Sequence, residues 1–356
     1  MSVSCPLIES PHHHTKTVIL DHFWGQSSQP RSQAKYVAHS EAYWRFYSQE
    51  CERALHDGGR SCLARTHQDL IDIVALFKEH RSRDEISKSL LCRLTKKHAN
   101  EEELVNGAID LAASIFLMID FWNPLLGFSG RQLLAWSNGS IKECVHSHFC
   151  AQPTLGHEGV KLQRIFNALN LERIAGVQLV LTNNLADHLR LVDDDTKLYF
   201  FHHASFLRAN LHSDILPPGL AEETLRTLAL LCPQSDRATK KWLRRLPKPI
   251  VSKWPSGRPA YILDPHLMRC GHLKTDDRQI EKFIYWHDRL VVLKQVFDET
   301  TPNNISQWWH DRRNGVQWYT FWVAIIVLSL TLMFGLIQSI EGALQVYGSF
   351  QNGPGK

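Results

Sequence analysis

The chain has 356 residues, with 40 Lys and Arg against 36 Asp and Glu, a net charge of +4, and 44% hydrophobic residues. A charge this close to balance points to no strongly charged partner, and the length allows one large or two small domains ahead of an apolar C-terminal segment. The eight cysteines contain no CxxC pair and no dense framework, which excludes a disulfide scaffold and reads as reduced cytosolic thiols.

Residues 1–38 are rich in Ser, Pro, Gln and His, a composition expected to lack fixed structure. His12, His13 and His14 stand together there, a pattern that more often means nothing than a metal site. From 39 to 155 the spacing predicts a helical subdomain. Ser40 precedes the stripe Tyr43, Trp44, Tyr47, Cys51, Ala54 and Leu55, which stops at Gly58 and Gly59. Thr66 to Asp69 resembles a capping box before Leu70, Val74 and Phe77, and Ser82 to Glu85 is a full one before Ile86 and Leu90. Asn100 with three glutamates opens a helix predicted to reach Phe121. Its apolar run Leu111 to Ile119, closed by Asp110 and Asp120, is too short to span a membrane and is the candidate central core helix.

Residues 156–300 read as an α+β and helical subdomain. A helix is predicted at Leu162 to Leu169, a strand at Val177 to Leu181, a short helix at Asn183 to Leu189, a turn at Asp193 to Asp195 and a strand at Lys197 to Phe201. That order is reminiscent of a winged helix. Helices follow at Leu220 to Leu231 and Asp236 to Leu246, then a loop with Pro247, Pro249, Pro255, Pro259 and Pro265. The last predicted helix of this part runs from about Asp276 to Phe297. The fold class expected is mainly α, with a small α+β part.

A linker at 301–317 leads to Trp318–Ile337, which carries no charge. Twenty residues at about 1.5 Å each match the roughly 30 Å core of a bilayer, so a transmembrane helix is predicted over 318–340 with a short tail at 341–356. Trp318, Tyr319 and Trp322 would form an aromatic belt at its first interface, next to Arg312 and Arg313. Basic residues before the span and the lack of an apolar signal-peptide core in the first thirty residues predict a tail anchor with the N-terminal domain in the cytosol. The sequons Asn138-Gly-Ser140 and Asn304-Ile-Ser306 should then carry no glycan. Gly335, Ser339 and Ala343 recur every four residues, a line along which a second helix could approach to give a homodimer.

Nucleotide-binding, metalloprotease and nucleophile-elbow signatures are missing from the sequence. Gly127 to Gly130 reads as a turn. His266, Cys270 and His272 lack the paired knuckles of a structural zinc site, so no metal or other cofactor is expected. More suggestive is an acid-free stripe holding Arg237, Lys240, Lys241, Arg244, Arg245, Lys248, Lys253 and Arg258, with Trp242 and Trp254. Such a stripe suits anionic headgroups, nucleic-acid phosphates, or simply solvent. Arg81, Arg83, Lys88, Arg93, Lys96 and Lys97 make a second set of the same ambiguity.

Three stretches, Leu181 to Leu189, Leu216 to Pro233 and above all Ser306 to Tyr347, resemble a group of filamentous-fungal proteins that share a soluble N-terminal region and one C-terminal span. The resemblance implies the single C-terminal span and a fungal setting; no activity or site residue comes with it. The expectation is therefore a single-pass membrane protein with an adaptor or interaction role and an unknown protein partner. The alternatives are a membrane-tethered nucleic-acid binder and an enzyme without recognisable motifs.

Overall fold

Ser/Thr-x-x-acid signatures set three of the helix starts. At Thr66 the hydroxyl accepts from the Asp69 N–H at 3.3 Å and the Asp69 carboxylate accepts from the Thr66 N–H at 2.8 Å. Ser82 with Glu85 and Ser140 with Glu143 repeat the reciprocal pair. Each box satisfies amides that the first helical turn otherwise leaves orphaned.

The computed structural model describes residues 5–25, 41–94, 99–121, 133–150, 153–156, 160–246, 262–301 and 315–351. The chain forms two compact units, Met1–Glu172 with Gly176–Glu299, and Arg173–Ala175 with Thr300–Lys356. The first unit holds α1 (His13–Trp24), α2 (Glu41–Ala54), α3 (His67–Lys78), α4 (Arg83–Leu91), α5 (Glu101–Leu117) and α6 (Ile141–Phe149). After them come α7 (Ala168–Arg173), β1 (Gln178–Thr182), β2 (Leu191–Val192), β3 (Lys197–Phe201), α8 (Ala204–Ala209), α9 (Leu220–Leu231), α10 (Arg237–Leu243) and α11 (His287–Glu299). The protein is mainly helical with one small mixed sheet, as its composition and periodicity predict.

Helix α5 is the centre. Leu111 through Leu117 are buried without a break, so the helix is enclosed on every side, and α2, α3 and α4 pack against it. Each such Leu or Ile contributes about 1.5–3 kcal/mol through removal from water. The Tyr43 hydroxyl of α2 donates to the Ile115 carbonyl at 3.1 Å. Gly107 allows the Ser61 carbonyl to lie against α5, where a Cβ would sit 1.9 Å from that oxygen. The helix ends at a left-handed Met118 with φ 51°. Met118 O then accepts from Leu185 N at 2.7 Å and Asp120 N donates to Asn184 at 3.2 Å, so its end is tied to the loop after β1.

Several expectations are corrected. Part of the N-terminal segment expected to be unstructured is helix α1, because Ile19, Leu20 and Phe23 recur on one face and are buried in the core. The predicted helix at Leu162 to Leu169 starts only at Ala168, since residues 160–162 are drawn into an extended bridge with 278–280: Leu162 N donates to Arg278 O at 2.8 Å and Ile280 N to Val160 O at 3.1 Å. For the same reason the predicted helix from Asp276 is two short 3-10 turns, Thr275–Arg278 and Ile280–Lys282, and α11 starts at His287. The Glu223 carboxylate fixes that break by accepting from Ile284 N at 2.8 Å and Trp286 N at 2.9 Å.

The winged-helix expectation is also corrected. The sheet order is β1-β3-β2, with β3 parallel to β1 (Gln178 opposite Lys197 through Thr182 opposite Phe201) and antiparallel to β2. Only the 3-10 turn Leu185–Asp187 lies between β1 and β2, so no helix of recognition length is present there. Asp193, Asp194 and Asp195 all take left-handed φ values of 54°, 52° and 62°, tightening the β2–β3 turn so that it leaves no extended wing.

In the second unit the described element is α12 (Gly315–Gln351), a helix of 37 residues. Thr320, Ser329 and Thr331 each donate their hydroxyl to the carbonyl four residues earlier, at 2.8–2.9 Å, which hides the polar atoms of an otherwise apolar surface.

Candidate functional site

Two regions carry the residues singled out by the sequence. In α12 the stretch Trp318–Phe350 is long and apolar enough to cross a membrane, and none of its most apolar window is buried. Trp318 lies with its ring centroid 5.1 Å from Tyr319 and 6.2 Å from Trp322, so the three aromatics cluster at the start of the rod. Gly335, Ser339 and Ala343 follow one another at four-residue spacing on this unbroken helix, and a Cβ on Gly335 would meet nothing within 4 Å. Arg312 and Arg313 lie outside the described residues.

The second region is α10. Asp236 caps it, accepting from Ala238 N at 2.9 Å and from the Thr239 hydroxyl at 2.5 Å. Thr239 and Leu243 are buried beneath it. Arg237, Lys240, Lys241 and Arg244 stand at i, i+3, i+4 and i+7, which places them on the opposite face; Arg237, Lys241 and Arg244 are exposed and Lys240 is half-buried. Arg245, also exposed, follows in the terminal turn. Lys248, Lys253 and Arg258 of the same stripe lie outside the described residues.

The two basic sets differ in their pairing. Arg81 meets Glu79 at 2.8 Å, Arg83 meets Asp110 at 2.7 Å, and Arg93 meets Asp72 at 3.2 Å. Among the described residues no carboxylate pairs with Arg237, Lys240, Lys241, Arg244 or Arg245. Three of the first set are therefore paired, while among the described residues Lys88 and the α10 set are left facing water; Lys96 and Lys97 lie outside the described residues.

The interior holds the most perturbed titratable groups. His188, His202 and His203 are wholly buried, and burial pushes all three below the ordinary histidine range, His202 to about 3. Each is held as a neutral ring. His188 pairs Nε2 with the Thr227 hydroxyl at 2.7 Å and accepts from Phe201 N at 3.2 Å; His203 pairs Nε2 with Asn183 at 2.8 Å; His202 stacks on His203 at 4.1 Å. Ser205, Asp264 and His202 are close, but not as a hydrolytic triad. The Ser205 hydroxyl donates to Asp264 at 2.9 Å, and Asp264 also accepts the Ser205 amide, capping α8. The serine is bonded to the carboxylate and not to a histidine nitrogen, so the Ser-His-Asp arrangement is not formed by these three residues.

Four buried or half-buried thiols are similarly quiet. Burial raises Cys51 and Cys232 well above the usual thiol range, Cys62 to about 11 and Cys270 to about 12. A thiol so raised supplies little thiolate for nucleophilic attack or metal ligation. Cys270 turns its Sγ to the His266 carbonyl at 3.5 Å, and among the described residues no three His, Cys, Asp or Glu side chains group as a metal-ligand set.

Sequence reasoning missed one feature, a polar cleft beside α10 lined by Arg164 and Arg278. The two residues are far apart in the chain and meet only through the extended bridge at Lys161 and Gln279, so no local sequence signal marks them. Comparison of the chain with protein-family models, curated proteins and solved structures gave no match.

Proposed function

We propose that this protein is a single-pass membrane protein anchored by α12, with the helical unit on the cytosolic side serving as an adaptor that presents an interaction surface at the bilayer. The observation that carries the reading is the exposed apolar stretch Trp318–Phe350 on one continuous helix. In water such a surface is strongly unfavourable, and a bilayer is the environment that relieves it. Orientation is supported by Arg312 and Arg313 before the span, where basic residues favour the cytosolic side. The unpaired basic face of α10 supports a second, weaker contact with anionic headgroups, worth about 1 kcal/mol per basic residue. Tethering raises the local lipid concentration and makes such a weak contact effective.

The test compares the full chain with a chain ending at Gln317. The full chain should resist carbonate extraction from membranes, and an N-terminal tag should be digested by protease added outside sealed cytosol-facing vesicles. The shorter chain should be soluble, and proximity labelling should give it a different set of neighbours. Identical neighbours and location for both chains would sink the anchoring role, and a glycan on Asn138 or Asn304 would reverse the topology. In the full chain, K240Q/K241Q/R244Q should weaken binding to phosphatidylserine vesicles by about tenfold or more at low salt. Unchanged vesicle binding together with salt-sensitive DNA binding would assign the basic face to nucleic acid instead.

A further inference from the structure

A cleft of about 280 Å³ opens between the 160–167 segment, the end of α9 and the loop that leads into α10. Its floor is buried and mostly apolar: Phe166, Ala229, Leu230 and Leu273, with Asn167 as the one polar member. Its rim is polar and accessible, formed by Gln163, Arg164, Ser235, Asp236 and Arg278.

Two tertiary ties build the cleft. The antiparallel bridge at Lys161 and Gln279 brings Arg164 and Arg278 to the same opening. On the other side Gln234 N donates to Gly271 O at 2.8 Å, fixing the loop that carries Ser235 and Asp236 over Leu273. Arg278 is oriented by its own backbone surroundings: Nε and Nη2 both donate to the Leu273 carbonyl, at 3.2 and 3.0 Å. That fork uses Nε and one hydrogen of Nη2, and Arg278 lines the cleft.

The charge is only half offset from within, by the Asp236 carboxylate on the rim. Among the described residues neither Arg164 nor Arg278 has a carboxylate partner. Neighbouring Asp277 is taken by Lys282 at 3.1 Å. The one carboxylate on the rim, Asp236, spends both oxygens on α10, one on the Ala238 amide and the other on the Thr239 hydroxyl. A concave site with two guanidiniums that form no ion pair, a hydroxyl, side-chain amides and a single carboxylate keeps an excess of positive charge and of donors. Arginine forks match the oxygens of a phosphate, and two of them match its double charge better than they match a single carboxylate.

We propose that this cleft binds the phosphomonoester of a small polar ligand, Arg164 and Arg278 holding the phosphate. The phosphate can belong to a soluble metabolite or to a lipid headgroup. Arg237 and Lys240 begin immediately after the rim residue Asp236, so a headgroup in the cleft would share its surroundings with the α10 basic face.

The experiment uses the full chain in neutral phosphatidylcholine nanodiscs. Inositol trisphosphate is titrated by calorimetry, and binding to vesicles of phosphatidylcholine with and without phosphatidylinositol monophosphate is measured in parallel. Saturable binding is expected in at least one arm. Arg164→Gln should weaken it about tenfold, the size of one charge-assisted hydrogen bond, and Arg278→Gln by at least as much. Arg164 is exposed, so its replacement should leave the melting temperature unchanged and keeps the test independent of folding. Arg81→Gln, away from the cleft, should bind as the natural chain does. Binding of the soluble probe alone assigns the site to a free phosphorylated compound, and binding of the doped vesicles alone assigns it to a headgroup. No binding in either arm, or binding that Arg164→Gln does not weaken, overturns the proposal while leaving the anchor untouched.

Discussion

Helices α5 and α12 are the two most apolar long helices among the described residues, and they meet opposite fates. In α5 the apolar stretch lies between Asp110 and Asp120, and every residue from Leu111 to Leu117 is buried in protein. In α12 the stretch is longer and the large apolar side chains stand exposed, Leu328 at 60% and Phe334 at 57%. Apolar content alone does not separate a core helix from a membrane helix. What separates them is the distance between flanking charges and whether neighbouring elements supply enough apolar surface to cover every face. Asp110 shows the difference in the first unit. Burial pushes its carboxyl above the usual carboxylate range, and the Arg83 guanidinium at 2.7 Å offsets this, so even the flanking charge of α5 is paired inside the protein.

The sharpest way to break the comparison is to place one lysine in each helix. Ile115→Lys puts an unpaired charge into a wholly buried site and should unfold the first unit, a loss of several kcal/mol seen in its near-UV circular dichroism. Leu328→Lys should leave that signal unchanged and cost about 3 kcal/mol of insertion, read as increased carbonate extraction. Equal effects on the dichroism of the first unit would show that the two helices are not in different solvents.

Acid should separate the two units next. His188, His202 and His203 have folded values below the ordinary 6.5, so the folded state binds fewer protons than the unfolded one below that pH. Stability therefore falls as pH drops from about 6.5 toward the folded values. Each histidine contributes up to about 1.4 kcal/mol per pH unit, so the three together contribute about 4 kcal/mol per unit at most. The urea midpoint of the first unit should drop steeply between pH 7 and 5, and the helicity of α12 in detergent should not. A flat urea midpoint would mean that the three rings are not held neutral by burial.

A smaller effect is expected at Gly107. Alanine is the better helix former by about 1 kcal/mol, yet the added Cβ would meet the Ser61 carbonyl, so Gly107→Ala should destabilise the first unit by about 1–3 kcal/mol. The matching change at Gly335, where a Cβ meets open space, should leave α12 helical. A loss of membrane dimer signal on Gly335→Ile would then report on the small-residue line with Ser339 and Ala343.

Local signals were the legible part of the sequence. The boxes at Thr66 and Ser82 mark the starts of α3 and α4, because capping depends on side chains three residues apart. The same signal at Ser140 opens α6, where turn-rich surroundings and the overlapping sequon at Asn138 obscure it. Helix α1 is hidden by composition, since the polar residues around Ile19, Leu20 and Phe23 outweigh the few that enter the core. The 276–286 region misleads in the opposite direction. Ile280, Phe283 and Ile284 imitate a helical period, but Ile284 is 62% exposed and the segment is claimed by the Glu223 carboxylate and by pairing with residues 160–162. Of the candidate sites, the basic face of α10 is readable from i, i+3, i+4 spacing. That its cations lack carboxylate partners while the Arg83 set has them is a tertiary fact, and so is the meeting of Arg164 with Arg278.

The length of α12 has a consequence for where such a protein resides. Thirty-seven residues make a rod of about 55 Å, and the uncharged part from Trp318 to Ile340 alone covers about 35 Å. That is several ångströms more than an average hydrocarbon core, and the mismatch costs a fraction of a kcal/mol per ångström unless the rod tilts. Thin bilayers are therefore penalised relative to thick, sterol-rich ones. As the proposed anchor the helix would act as a gauge, and shortening or lengthening it by one turn should shift the protein between compartments that differ in membrane thickness.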